Sequence, residues 1–178
     1  MCDFSMDISE YNIQFVFKAS AWHAYVKNGI FKSDSFGYAR ATNIMSTKSE
    51  TDFEWSVKLF GGPDFSVGIA SKFRPFLSTV NTLNCNLIYT YDQNAIMYSS
   101  YNADIRVGEN SIHANLMEHQ SEDVIKFRFQ PRTKKLLIDR TRNSRTNGQY
   151  EVDLNDDVNY YPFVQTSHHS AREAHLIP

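Results

Sequence analysis

Residues 121–138 read SEDVIKFRFQPRTKKLLI, and the fold turns on the parity of these side chains. Ile125, Phe127 and Phe129 fall on one side of an extended chain and Lys126 and Arg128 on the other, with Val124 alone breaking the polar face. Successive side chains of a strand point to opposite faces, so one face is apolar enough to bury and the other is wet and basic. Pro131 removes a ladder donor and opens a polar break, after which residues 136–138 resume an apolar run. This is a β-hairpin signature, and residues 89–98 before it and 160–164 after it extend the same extended-chain character.

Outward from the hairpin, strand-like runs recur at short intervals. They fall at 12–18, 24–26, 37–41, 53–60, 66–70, 87–91, 95–99, 112–117, 124–130, 134–139, 150–154 and 161–165. In 53–60, Phe53, Trp55, Val57 and Leu59 line one face and Glu54, Ser56 and Lys58 the other, with Phe60 the exception. Turn chemistry agrees: Lys27-Asn28-Gly29, Phe60-Gly61-Gly62-Pro63-Asp64 and Thr146-Asn147-Gly148 sit between runs, and Asn-Gly supplies the positive φ of a tight hairpin. The best helical window, 111–120, reads equally as a strand through Ile112, Ala114 and Leu116. Residues 72–86 read as a long loop. Many short strands and little helix imply a two-sheet sandwich or a barrel.

Composition sets the class. At 178 residues the chain is long enough for one domain with a substantial core, and 14% aromatics with only 7 Gly and 5 Pro exclude a disordered or linker-dominated chain. A formal charge of -2 supplies no global field toward nucleic acid or an anionic membrane. Cys2 and Cys85 have neither disulfide-framework nor zinc spacing. Residues 1–10 are polar and acidic, unlike a signal peptide, no run is long enough to span a bilayer, and no Asn-x-Ser/Thr sequon occurs. These features favour a cytoplasmic or nuclear location, although a protein released without a signal, such as a viral one, has the same signature.

Catalysis finds no support. The sequence holds no G-x-S-x-G elbow, P-loop, H-E-x-x-H or Rossmann glycine series. His168, His169 and His175 lie in a polar terminal segment, where solvated histidines are the commoner reading than a metal site. His113 and His119 are six apart and read as structural or exposed, and Cys85 has no neighbouring base to stabilise a thiolate. Asp92, Asp104, Asp123, Glu109 and Glu118 offer carboxylates, but sequence does not show that any two converge. No cofactor or metal is expected. Lys126, Arg128, Arg132, Lys134, Lys135, Arg140, Arg142 and Arg145 concentrate nearly half of the 18 basic residues in one stretch. An anionic partner is one reading. The other makes them the solvated face of strands balanced by Glu151, Asp153, Asp156 and Asp157, and without a supporting net charge it outweighs nucleic-acid binding.

A better binding candidate is Tyr98-Ser99-Ser100-Tyr101-Asn102. Tyrosine offers a large rigid surface with a hydrogen-bonding tip, and Ser and Asn add adaptable polar contacts at little entropic cost. The opposing reading puts Tyr98 in the core and leaves Tyr101 covering a turn. Trp55 belongs to the core by its alternation, whereas Trp22 beside His23 fits either role.

The ordered series Trp55-Ser56-Val57, Val67-Gly68-Ile69-Ala70, residues 89–98, Glu122-Asp123-Val124-Ile125 and Tyr160-Tyr161-Pro162-Phe163-Val164 resembles the SPRY (B30.2-like) family over most of residues 53–165. Residues 24–45 are more loosely similar to neuralized-type repeats, through Gly37-Tyr38-Ala39-Arg40. Two departures stand out. Glu122 occupies a place where the family commonly has Gly, and Gln130-Pro131-Arg132-Thr133 replaces a glycine-containing turn. The resemblance implies an all-β fold, a bent antiparallel sandwich of two sheets of the concanavalin-like or jelly-roll type, spanning residues 11–166 between an N-terminal extension (1–10) and a C-terminal tail (167–178). It implies a non-catalytic module that binds a partner protein or short peptide through loops at one end, as in ubiquitin-ligase substrate receptors and immune sensors, without any RING, SOCS-box or BTB segment in this chain. Arg40, Thr166, Ser167 and His168 fall where family members contribute to the same rim as Tyr98–Asn102. A glycan-binding or virion-surface jelly roll is the alternative. Neither the partner nor the oligomeric state is legible.

Overall fold

Period-two patterning closes into two antiparallel sheets in the computed structural model, which describes residues 5–8, 13–16, 24–27, 29–33, 37–41, 44–63, 65–72, 92–114, 116, 118–166 and 172–177. In chain order the strands are β1 (Ser5–Ile8), β2 (Ile13–Val16), β3 (Ala24–Lys27), β4 (Ile30–Ser33), β5 (Gly37–Ala41), β6 (Met45–Ser46), β7 (Phe53–Phe60) and β8 (Phe65–Ala70). They continue as β9 (Ile96–Ser99), β10 (Asp104–Val107), β11 (Asn110–His113), β12 (Val124–Gln130), β13 (Lys135–Arg142), β14 (Arg145–Asp153), β15 (Asn159–Thr166) and β16 (Arg172–Ile177). Among the described residues the first sheet runs β1-β2-β5-β15-β8-β9-β10-β11, with β6 on β15, and the second runs β14-β13-β12-β7-β16-β4-β3. No described residue is helical, and 114–120 is irregular where it is described.

Register sorts the side chains into faces. In the first sheet Ala39, Val164, Val67, Tyr98 and Ile105 form one row across five strands, and all are core residues. The next row, Arg40-Phe163-Gly68-Met97-Arg106, is one residue out of step and lies on the outer face. Across the second sheet, Trp55-Phe127-Ile138-Tyr150 and Phe53-Phe129-Leu136-Val152 face inward. Trp55 stacks on Phe127 at 5.0 Å, and Phe129 meets Tyr160 of the opposite sheet edge-on at 6.0 Å. Each such ring, fully buried, contributes roughly 1.5–3 kcal/mol over exposure. Gly68 has a steric role, since a Cβ there would lie 2.0 Å from the Ile96 carbonyl oxygen on β9.

Four expectations need correction. Within the expected tail 167–178, residues 172–177 form β16, which is hydrogen-bonded between β7 and β4, with Ala174 and Leu176 turned to the core. Residues 1–10 are no mere extension either, since β1 pairs with β2. Thr146-Asn147-Gly148 lies inside β14 rather than in a turn. The hairpin turns instead at Asn143 and Ser144, both at positive φ as a two-residue hairpin demands, and a register shift at Arg140/Thr141 marks a bulge. Gly148 there serves its neighbour, as a Cβ would sit 2.3 Å from the Tyr150 hydroxyl. Finally, 112–117 yields a strand only to His113. Cys2, Trp22, His23, Cys85 and the run 87–91 lie outside the described residues.

Of the two departures from family glycines, the first is itself a strained residue and the second is followed directly by one. Glu122 sits at φ 76 and Lys134 at φ 54, where its N–H donates to the Pro131 carbonyl at 3.2 Å. Positive φ costs an L-residue about 1–2 kcal/mol. Glu122→Gly is therefore expected to raise the urea midpoint by about 0.5–1 kcal/mol equivalent, after the loss of its exposed contact with Lys58 (2.8 Å), whereas Glu122→Val lowers it. A lower midpoint for the glycine variant would show that the Glu122 side chain outweighs its own backbone strain.

Candidate functional site

Both sheets end in turns on the side of the sandwich where β9 passes to β10. Gly37, Thr166 and Phe65 are the terminal row of the first sheet there. Ser100 extends that row: its N–H donates to the Phe65 carbonyl at 2.9 Å, and its Oγ accepts from the Phe65 N–H at 2.8 Å. The next residue, Tyr101, stands out into solvent at 66% exposure, followed by exposed Asn102 and by Ala103 at φ 47. A rigid root and a projecting aromatic are thus adjacent in sequence. The β7–β8 turn at 61–63, residues 118–122 and the Asn143-Ser144 turn border the same end.

The parity of the sheet divides the anticipated site. Tyr98 is 1% exposed and faces the core, so it is corrected from a rim anchor to a core residue. Ser100 and Thr166 are buried and root the turn rather than present themselves. Ser99 is buried on the outer face and accepts the Asn102 N–H at 3.4 Å. Arg40 lies on the outer face too, three residues inward from the rim, with its guanidinium 4.8 Å above the Tyr161 ring. Tyr101 and Asn102 alone of the described set are exposed at the rim, and Ser167 and His168 lie outside the described residues.

Beneath this rim lies a charged cluster that motif reading did not assemble. Arg140 continues the inward series Leu136, Ile138 on β13, and Asp123 at the start of β12 meets it. The Asp123 carboxylate is fully buried and accepts from Arg140 Nη2 at 2.7 Å and Nε at 3.2 Å, from Arg142 Nε at 2.7 Å and Nη2 at 2.9 Å, and from the Gln120 N–H at 3.0 Å. Both guanidiniums also donate to the Glu118 carbonyl. Burial pushes the Asp123 carboxyl up, but the bonds from Arg142, Gln120 and Arg140 together hold it below the usual range. Arg140 faces the Tyr98 ring of the opposite sheet at 5.7 Å, and burial pushes the Tyr98 hydroxyl up to about 12. The legible signal was parity: two arginines on a buried face require an anion.

Most of the remaining basic stretch is ion-paired at the surface. Lys126 meets Glu54 at 2.5 Å, Arg128 meets Asp139 at 3.0 Å, Lys134 meets Asp156 at 2.6 Å, and Lys135 meets both Glu151 and Asp153. Cross-strand pairing accounts for Lys126, Arg128 and Lys135. Among the described residues, no group of three or more His, Cys, Asp or Glu is placed to hold a metal, and no helix is long and apolar enough to cross a membrane.

Asp123→Asn leaves buried Arg140 and half-buried Arg142 short of their anion and is expected to cost about 3–5 kcal/mol by urea unfolding at neutral pH. Because the folded carboxyl titrates below its unfolded value, about 3.9, that difference from wild type persists above the unfolded value and closes as pH falls through the folded one. The Tyr98 hydroxyl has no hydrogen-bond partner among the described residues, so Tyr98→Phe is expected to be neutral or stabilising while Tyr98→Ala costs about 3–5 kcal/mol. A loss of more than about 1 kcal/mol in the Phe variant would reveal a partner for the hydroxyl.

No family model matches the chain, and no curated protein matches it. Solved structures do. The SPRY domain of human HERC1 is 15% identical over 86% of this chain and 91% of that one, with a TM-score of 0.56. The TRIM65 PSpry domain is 11% identical over 94% of this chain and 92% of that one, with a TM-score of 0.63. Stonustoxin is 11% identical over 86% of this chain but only 26% of its own, with a TM-score of 0.58. At these identities the likeness is one of fold, and it agrees with the strand order and the two-sheet core. By fold, the chain is a SPRY-type β-sandwich.

Proposed function

We propose that the chain is a non-catalytic recognition module that binds a partner protein or short peptide through the Tyr101 end of the sandwich. The observation that carries this reading is Tyr101 itself, a 66% exposed aromatic on a turn whose root, Ser100, is buried and doubly bonded to Phe65. Large exposed aromatics on preorganised turns bind at little ordering cost, and such side chains dominate interface energetics. The SPRY-type fold supports the reading, since it brings loops from both sheets to one end. In its finer form the proposal makes the chain a substrate receptor or scaffold in a ubiquitin-ligase or immune-type assembly of the cytoplasm or nucleus, with any ligase activity supplied by another segment or polypeptide.

Affinity capture from native lysate with the wild-type chain and with Tyr101→Ala, followed by titration calorimetry on the purified partner, tests the proposal. Tyr101→Ala is expected to weaken binding by at least about 2 kcal/mol, roughly thirtyfold, with a thermal midpoint close to wild type. Equal affinity of the two proteins, or reproducible binding on a glycan array with no captured protein, would overturn it.

A further inference from the structure

Residues 118–122 close the sandwich beside the Tyr101 turn, and the side chain they send inward is a base among cations. The His119 side chain is 0% exposed, and neither ring nitrogen makes a well-formed hydrogen bond among the described residues, the Gly61 backbone serving only as a weak partner. Its Nδ1 is 3.5 Å from Asp123 Oδ2, but that carboxylate is already occupied by Arg140, Arg142 and the Gln120 N–H. From β8 the Phe65 ring meets the imidazole edge-on at 6.1 Å, from the β7–β8 turn the Gly61 backbone faces it, and from β13 come the two guanidiniums. A proton on this ring would set three cations against one anion, with only Arg142, 15% exposed, reaching solvent to share the charge. Burial is the main effect holding the imidazole below its ordinary value of about 6.5; Asp123 and the Gly61 backbone work against it, and Arg140 and Arg142 add to it.

This segment and Leu116 just before it are tied to the turns of the rim. The Leu116 N–H donates to the Ala103 carbonyl at 2.9 Å, the Gly61 N–H donates to Ser121 Oγ at 3.1 Å, and the Glu118 carbonyl accepts from both arginines. We propose that His119 is an acid-released latch: its protonation expels residues 118–122 from the end of the sandwich and frees the 100–103 turn that carries Tyr101. The functional half of this proposal, loss of partner binding in acid, rests on the reading of that end as the binding surface. The conformational half does not.

The sign follows from linkage. With the folded value depressed, the closed state excludes a proton that the open state accepts, so closure is intact above the unfolded value and weakens as pH falls below it toward the folded one. Hydrogen exchange on the full chain, corrected for intrinsic rates, reads this without a partner. From about pH 7 downward, protection in 118–122 and 100–103 is expected to fall about tenfold per pH unit across the interval between the two values, with the β12–β13 core unchanged. His119→Phe, which supplies a neutral ring against Phe65, is expected to abolish the slope. Should that variant fail to fold, an NMR titration of the wild-type His119 ring decides instead, with inflection expected below the ordinary histidine value. Flat protection in the wild type, an unchanged slope in His119→Phe, or a ring titrating at or above its ordinary value would each overturn the latch. A slope present while Tyr101→Ala leaves affinity unchanged would instead remove only the binding reading.

Discussion

One buried carboxylate holds this end of the sandwich together. Asp123 stands where β12 begins and draws in two guanidiniums that β13 directs toward the core by simple alternation. Without it, Arg140, 2% exposed in a row that otherwise holds Val57, Ile125 and Gly148, would keep the Glu118 carbonyl but lose the carboxylate that balances its charge. Such a cluster adds little to net stability compared with apolar side chains of the same volume, because desolvation consumes most of the Coulomb gain. Its effect is on geometry. Asp123 accepts from Gln120 on the segment before it and from Arg140 and Arg142 on β13, and the two arginines in turn hold the Glu118 carbonyl while Arg140 covers the face of Tyr98 on the opposite sheet.

That geometry explains how two tyrosines three residues apart come to play opposite roles. Tyr98 is on the inward parity of β9, so its ring goes into the core against Arg140, and Ser100, two residues on, follows it inward and bonds to Phe65. Tyr101 is the first residue free of the ladder, and nothing in the strand pattern holds it inside. Its exposure is thus a consequence of where β9 ends, and β9 ends where Ser100 takes over the pairing that a further strand residue would have made.

The sandwich itself was legible because alternation is a strong signal where one face is buried: β7 and β12 stand within a residue of where Phe53 to Leu59 and Ile125 to Phe129 place them. Weaker patterns were lost. β16 buries only Ala174 fully and pairs Glu173 with Lys32 and His175 at the surface, so its sequence resembles a solvated tail until β7 and β4 are beside it. Asn147-Gly148 carries a strong local turn signal, yet Asn143-Ser144 makes the turn and the glycine makes room for Tyr150, a long-range requirement that no local pattern encodes. For the site, the tyrosine-serine run was visible by residue type, but its partition between core and rim depends on strand register. The arginines were visible as a charge cluster, yet only inward parity separates Arg140 and Arg142 from the surface pairs formed by Lys126, Arg128 and Lys135.

Strain at Glu122 fits the same scheme. A non-glycine residue at φ 76 persists only where its neighbours over-determine the backbone. Here they do: the Glu122 N–H donates to the Leu59 carbonyl at 2.7 Å, the Leu59 N–H donates to the Asp123 carbonyl at 2.9 Å, and the next side chain is the carboxylate that the arginines hold. The pairing of β7 with β12 is thereby carried past the last regular strand residue and over the end of the sandwich, with Ser121 accepting from Gly61 beyond it. Asp123 therefore sets more than the charge balance of the core. It anchors the backbone that turns back beneath the rim, and the His119 ring that this turn tucks inside lies 3.5 Å from the same carboxylate.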